Sequence, residues 1–166
     1  ALTISVGESV FKASVSTQQI VEYLWRHALA SGLWSRELAR TCKTNAEVAF
    51  MCGLLHQIGK PVIVHAVVQL NGGESELKEH KLMLDLVNRY HKIVGVNLAR
   101  RWNLPDAVVE AINYIDDCYA APSAKQEVGI VSCATKIADL TLSFESEQIF
   151  SEGLANIDGL HELNLY

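Results

Sequence analysis

Apolar residues recur along most of this chain at intervals of three and four, the spacing of one face of an α-helix. From Thr17 to about Cys42 they fall at Ile20, Val21, Leu24, Trp25, Ala28 and, beyond Gly32, Leu38. His27 stands next to that stripe, and Ser16 is placed to cap it. Leu2 to Val15 is ambiguous: its β-branched residues suit a strand, while Val6, Val10 and Phe11 fit a helix face. The helical character of the remainder favours helix there too.

Thr44-Asn45-Ala46-Glu47 has the form of a capping box, with Thr44 as N-cap and Glu47 reaching back. It opens a helix whose apolar run, Ala49 to Ile58, contains His56 and Gln57. Ala46, Ala49, Cys52 and Gly53 are small enough to let neighbouring helices come close. Gly59 and Pro61 break the helix just after the His-Gln pair. Pro61 then starts a helix through Leu70, which Asn71-Gly72-Gly73 ends. Glu74 to Tyr90 reads as a charged amphipathic helix. His91 to Trp102 reads as another, with Val94, Leu98 and Trp102 on one face. Leu104-Pro105-Asp106 makes a turn, and Pro105 opens a helix to about Ile115. Asp116 to Ser123 is a loop, Ala124 to Leu142 an apolar helix carrying Asp139, and the tail holds a short helix at most. No strand pattern, internal repeat or low-complexity segment interrupts this, so the expected fold is all-α, a compact multi-helix bundle in one domain over residues 1–166.

Composition narrows the function classes. Hydrophobic residues make up 49% of the 166 positions, enough for a proper core. A net charge of −5 argues against broad attraction to nucleic acid or anionic membrane. No apolar run is read as membrane-spanning and no signal peptide is seen. Cys42, Cys52, Cys118 and Cys133 show no CxxC spacing and read as small core residues of a cytoplasmic protein. Trp25, Trp34 and Trp102 read mostly as core. Lys92, Arg100 and Arg101 form a small basic patch that reads as a solvated face. The loop with Tyr119 reads as solvent-facing or as an interaction edge. The chain begins at Ala1 inside an apolar segment, which suggests a piece of something longer.

Four residues carry candidate chemistry together: His27, His56, His91 and Asp139, each on a separate predicted helix. Two imidazoles and a carboxylate suffice to hold Fe, Mn or Zn, and a metal would activate bound water as a hydrolytic nucleophile. Each also has a plain reading. His27 hydrogen-bonds a neighbouring helix, His56 is tied to a loop carbonyl near Gly59, His91 sits at a helix start, and Asp139 caps a helix or pairs with a cation. Lys60 follows the His-Gln pair and suits either a phosphate or the helix C-terminus.

The order Trp25-Arg26-His27, Gly53-Leu54-Leu55-His56-Gln57-Ile58-Gly59, His91-Lys92-Ile93-Val94-Gly95, Arg101-Trp102-Asn103-Leu104-Pro105 and Ala138-Asp139 resembles the HDOD family, the HD-related output domains. These are bacterial, all-helical relatives of the HD-domain metal-dependent phosphohydrolases. The resemblance runs from about Glu22 to Leu140 and implies a bundle of the HD-domain type, lacking the N-terminal helices of a full HDOD domain. His27, His56, His91 and Asp139 match positions of HD-type ligands. Gln57 stands where catalytic members have a metal-ligating aspartate, and Ile115 and Asp116 stand where the family often has a His-His pair. The resemblance therefore implies a cytoplasmic signal-transduction module without catalytic residues or cofactor. Its partner would be a signalling protein, a flanking sensor or regulatory domain, or a small nucleotide ligand, with no membrane or nucleic acid. The alternative it leaves open is a phosphodiesterase acting on a nucleotide or cyclic dinucleotide, with a single Fe, Mn or Zn ion on a remnant site of His27, His56 and Asp139. Gln57, Lys60 and His91 are the further pocket candidates.

Overall fold

The computed structural model describes residues 15–70 and 77–143. Among them lie six α-helices and no strand: α1 (Val15–Thr41), α2 (Ala46–Leu55), α3 (Gly59–Leu70), α4 (Leu77–Arg101), α5 (Asp106–Tyr114) and α6 (Lys125–Ser143), with a 3-10 turn at Cys118–Ala120. The all-α expectation holds. The readings for Leu2 to Ser14, Asn71-Gly72-Gly73 and the tail fall outside the described residues.

Local chemistry explains most helix ends. α1 and α4 both stop in a residue of positive φ, Lys43 at 58° and Asn103 at 51°. In each case the next N–H reaches back five residues, Thr44 N to Ala39 O and Leu104 N to Ala99 O, both at 2.9 Å. This pattern satisfies carbonyls that the helix end would orphan. Pro105 sits at the N-cap of α5, as its fixed φ suits.

Four local readings need correction. The N-cap of α2 is Asn45, whose Oδ1 accepts from Glu47 N and Val48 N at 3.1 Å. Thr44 is drawn away because its hydroxyl donates to Ala39 O, in the reversed turn that ends α1. Ser16 lies inside α1 rather than capping it. α3 starts at Gly59, two residues before Pro61, whose ring fits the first turn. The helices expected on either side of Tyr90 and His91 are one, Leu77–Arg101, because nothing between those two residues breaks the backbone ladder.

Three apolar clusters hold the helices. Leu38, Ala39, Ala49, Ile130, Cys133, Ala134 and Ile137 join α1, α2 and α6. Cys52, Ala99, Val108, Ala111, Ile112, Val128 and Val131 join α2, α4, α5 and α6. Ile63, Val64, Met83 and Val87 pack α3 on α4, with Ile20, Val21 and Leu24 of α1 alongside. None of the four cysteines forms a disulfide; Cys52 and Cys133 are buried core residues, as read, whereas Cys42 and Cys118 are half-buried. Of the tryptophans only Trp34 packs on the core; Trp25 and Trp102 are 64% and 54% exposed. Their helical spacing placed them on apolar faces whose edges open to solvent.

Ala46–Leu70 is, by length and a mean hydropathy of 1.3, apolar enough to cross a membrane, contrary to the reading that no run was. It is not one rod: the turn at residues 56–58 separates α2 from α3. Two glycines in it permit backbone contacts that fix the bundle. Gly53 meets Ser35 Oγ, the Ser31 carbonyl and the Gly32 Cα of α1, and Gly59 meets the His91 carbonyl and the Gly95 N of α4. A side chain at either position would have to displace helix backbone. Those two contacts bring His56 between His27 and His91.

Candidate functional site

α1 contributes Tyr23, His27 and Ser31, one helical turn apart on a single face. α2 ends at His56, its C-cap, α4 brings His91 and α6 brings Asp139. His27 Nε2 lies 3.0 Å from Asp139 Oδ1, and the His27 and His56 rings are 5.8 Å apart, centroid to centroid. Tyr23 OH donates toward the same Asp139 oxygen at 3.5 Å. The structure thus places Tyr23 and His27 beside Asp139, 116 and 112 positions away in sequence.

The hydrogen bonds assign the imidazole tautomers. His56 Nδ1 lies 2.7 Å from the Gly53 carbonyl, so it carries the proton and donates. His91 Nδ1 donates likewise to Val87 O at 2.9 Å. His27 differs: its Nε2–H donates to Asp139, and its Nδ1 accepts a long 3.5 Å bond from the Ser31 hydroxyl. His56 Nε2 is a buried lone pair with no hydrogen-bond partner among the described residues. An unpaired polar atom of this kind costs about 1–3 kcal/mol, a feature that wants a reason.

Burial governs the charges. It lowers His56 from the ordinary imidazole value to about 3, against the Gly53 carbonyl, and His27, Lys60 and His91 push it further down. His27 and His91 are also lowered, first by burial; the Asp139 charge opposes this at His27, while Lys60 adds to it at both. Burial lowers the Lys60 ammonium too, with Asp139 and Asp116 pulling it back up. At neutral pH the three imidazoles of the centre are therefore neutral.

Asp139 is not the buried carboxylate that its apolar helix suggested. Its side chain is 59% exposed, at the rim, and it pairs with His27 rather than with Arg or Lys. His56 is tied to a carbonyl of its own helix, not of a loop. His91 lies in the middle of α4. Among the described residues no hydrogen bond links the Gln57 side chain to the centre. Gln57 lines a separate apolar hollow of about 150 Å³ with Trp25, Leu24 and Pro61. Lys60 instead lines a larger cleft of about 470 Å³ between α1, α3 and α4.

The donor set does not fit a metal ion. Among the described residues no three His, Cys, Asp or Glu side chains come together in a group that could hold one. His56 Nε2 has the right lone pair, but His27 presents a proton at Nε2, and the Lys60 cation lies within Coulombic reach of His27, His56 and His91. The remnant set His27, His56 and Asp139 reduces to a His27–Asp139 pair with His56 beside it.

Sequence reasoning missed Tyr23 and Glu110. Tyr23 stood one turn before His27, which was the available signal. Glu110 is buried in α5 and accepts from Ser123 N at 3.0 Å, Ser123 Oγ at 2.5 Å and Ala124 N at 2.7 Å, capping the start of α6. Burial raises its pKa, but these hydrogen bonds outweigh that and leave it lowered. A lone acid between Val109 and Ala111 was the clue. Of the small basic patch, Lys92 is committed: its Nζ pairs with Asp116 Oδ2 at 2.6 Å and donates to Asn113 O, tying α4 to the end of α5. Tyr119 in the following loop is 65% exposed.

Comparison with known proteins adds three findings. The family model for the HDOD domain matches residues 1–118. An uncharacterized protein of Treponema pallidum (strain Nichols) is 28% identical over 151 residues, which is 86% of this chain and 28% of that protein. A crystal structure from Shewanella amazonensis SB2B, of a protein provisionally named a phosphohydrolase, shares the fold with a TM-score of 0.52 at 20% identity. That match covers 85% of this chain and 58% of the other. The chain thus spans little more than a quarter of the curated relative and under two thirds of the solved one.

Proposed function

The chain belongs to the HDOD domain family, and on that premise we propose that it is a signalling module without catalysis of its own, which works by binding a regulatory partner or a small ligand. The observation that carries this is the state of the histidine centre. His27 Nε2, the atom a metal would need, is engaged by Asp139, and the residue after His56 is an amide lining a different hollow. A hydrolytic centre needs an open metal position next to its ligands, and here two of the candidate ligands, His27 and Asp139, are bonded to each other. The family membership supports an output role; the long unmatched portion of the Treponema pallidum relative leaves room for flanking domains in proteins of this kind.

The second reading is a metal-dependent phosphodiesterase. The bare Nε2 of His56 and the name of the Shewanella amazonensis neighbour favour it. Elemental analysis of untagged protein, purified anaerobically without chelator, separates the two. The first reading expects substoichiometric Fe, Mn and Zn. One ion per chain, lost in His56→Asn with the circular dichroism unchanged, would reverse the order of the two readings.

A further inference from the structure

The cleft between α1, α3 and α4 has a composition that the histidine centre does not explain. Lys60, in the first turn of α3, lines it. Ile20, Val64 and Met83 form apolar wall, and the amides of Gln19 and Asn88 lie at the edge. Among the described residues no hydrogen bond or ion pair reaches the Lys60 ammonium, although burial already disfavours its charge. The described ion pairs engage Asp139 with His27 and Asp116 with Lys92 instead. A half-buried cation without a partner among the described residues, lining a largely apolar cleft, is a site for an anion.

We propose that this cleft binds a small organic monoanion with an apolar body, its carboxylate or phosphodiester group on Lys60 and its body against Ile20, Val64 and Met83. The inference rests on the ligand-binding reading above and names the ligand's chemistry. Size and charge both limit the class. A cleft of about 470 Å³ falls in the range that holds small molecules rather than a folded partner. One ammonium offsets one negative charge, and Asp139 and Asp116 both act on Lys60 from nearby. Each further negative charge on a ligand would therefore meet those carboxylates without a second cation among the described lining residues. This disfavours polyphosphates and doubly charged cyclic dinucleotides. Gln19 and Asn88 supply donors and acceptors for polar atoms on the body.

Calorimetric titration of the whole chain tests this with octanoate against 1-octanol, and 3′,5′-cyclic AMP against AMP, the first of each pair being the monoanion. Octanoate should bind more tightly than octanol, and Lys60→Met should weaken octanoate by about tenfold or more while leaving octanol unchanged. Lys60→Arg should restore octanoate binding. Leu84→Glu, an exposed change at the mouth of the cleft, should weaken octanoate and leave the fold intact. Cyclic AMP binding tighter than AMP assigns the phosphodiester; octanoate alone binding assigns the carboxylate. Octanol binding as tightly as octanoate, or octanoate indifferent to Lys60→Met, would overturn the proposal. AMP or a dianionic dinucleotide binding more tightly than every monoanion would do so as well. Turnover of a diester would refute the non-catalytic reading without bearing on charge selectivity, so the two can fail separately.

Discussion

Replacing His56 by asparagine should change how the stability of the protein depends on pH more than it changes stability itself. Asparagine places an N–H close to where His56 Nδ1 donates to Gly53 O, so that 2.7 Å bond has a substitute. It removes part of a ring that is 2% exposed, which costs about 1–2 kcal/mol near pH 7.5. What it abolishes is titration. The folded pKa of His56 is lowered from 6.5 to about 3. The unfolded chain therefore takes up a proton that the folded chain refuses, and stability falls as pH drops below the unfolded value. Linkage puts that loss at about 2 kcal/mol by pH 5 and about 4 kcal/mol by pH 3.5. The loss belongs to the wild type alone, so the two proteins should reach equal stability near pH 5. His27 and His91 are lowered in the same direction and add a slope common to both. Urea unfolding at steps between about pH 7.5 and pH 5 measures this through the midpoint and m-value. Parallel curves for wild type and variant would refute the claim that His56 is held neutral by burial.

Other outcomes follow from the same structure. Asn45→Ala should destabilise by about 1 kcal/mol and Thr44→Ala by clearly less in thermal or urea unfolding, because Asn45 caps α2. Gly59→Ala should cost more than about 3 kcal/mol or prevent folding, since the added methyl meets the His91 carbonyl and the Gly95 N, neither of which can rotate away; soluble yield and circular dichroism report it. Lys60→Met should raise the titration midpoints of His27 and His91 in NMR, because removing a like charge favours the imidazolium form.

The helices were legible because their signals are local. Apolar spacing located α1, α5 and α6 to within a residue or two, and Pro105 marked the start of α5. The failures came where two local signals competed or where nothing local decided. Thr44 and Asn45 are both good caps, and the reversed turn ending α1 settled the choice by claiming Thr44. The chain from Leu77 to Arg101 has no breaker, yet the charged stretch before Tyr90 and the apolar face of Val94, Leu98 and Trp102 after His91 read as two helices. The clustering of His27, His56 and Asp139 was visible only through the family pattern. No property of the individual residues announces that α1, α2 and α6 meet there. Gln57 was informative for its chemistry, but not for its surroundings: it lines the apolar hollow that Trp25 also lines. Asp139 reads as buried from the apolar helix around it, and only the packing shows it at the rim.

Hydrolysis of bis(p-nitrophenyl) phosphate, assayed anaerobically with Fe(II) and in parallel with Mn(II), tests the central claim most directly. A module whose His27 is bonded to Asp139 and whose ligand set falls short of three residues should show no rate above that of the metal ions alone. A protein-dependent rate that disappears in both His56→Asn and Asp139→Asn, with both variants folded, would contradict it.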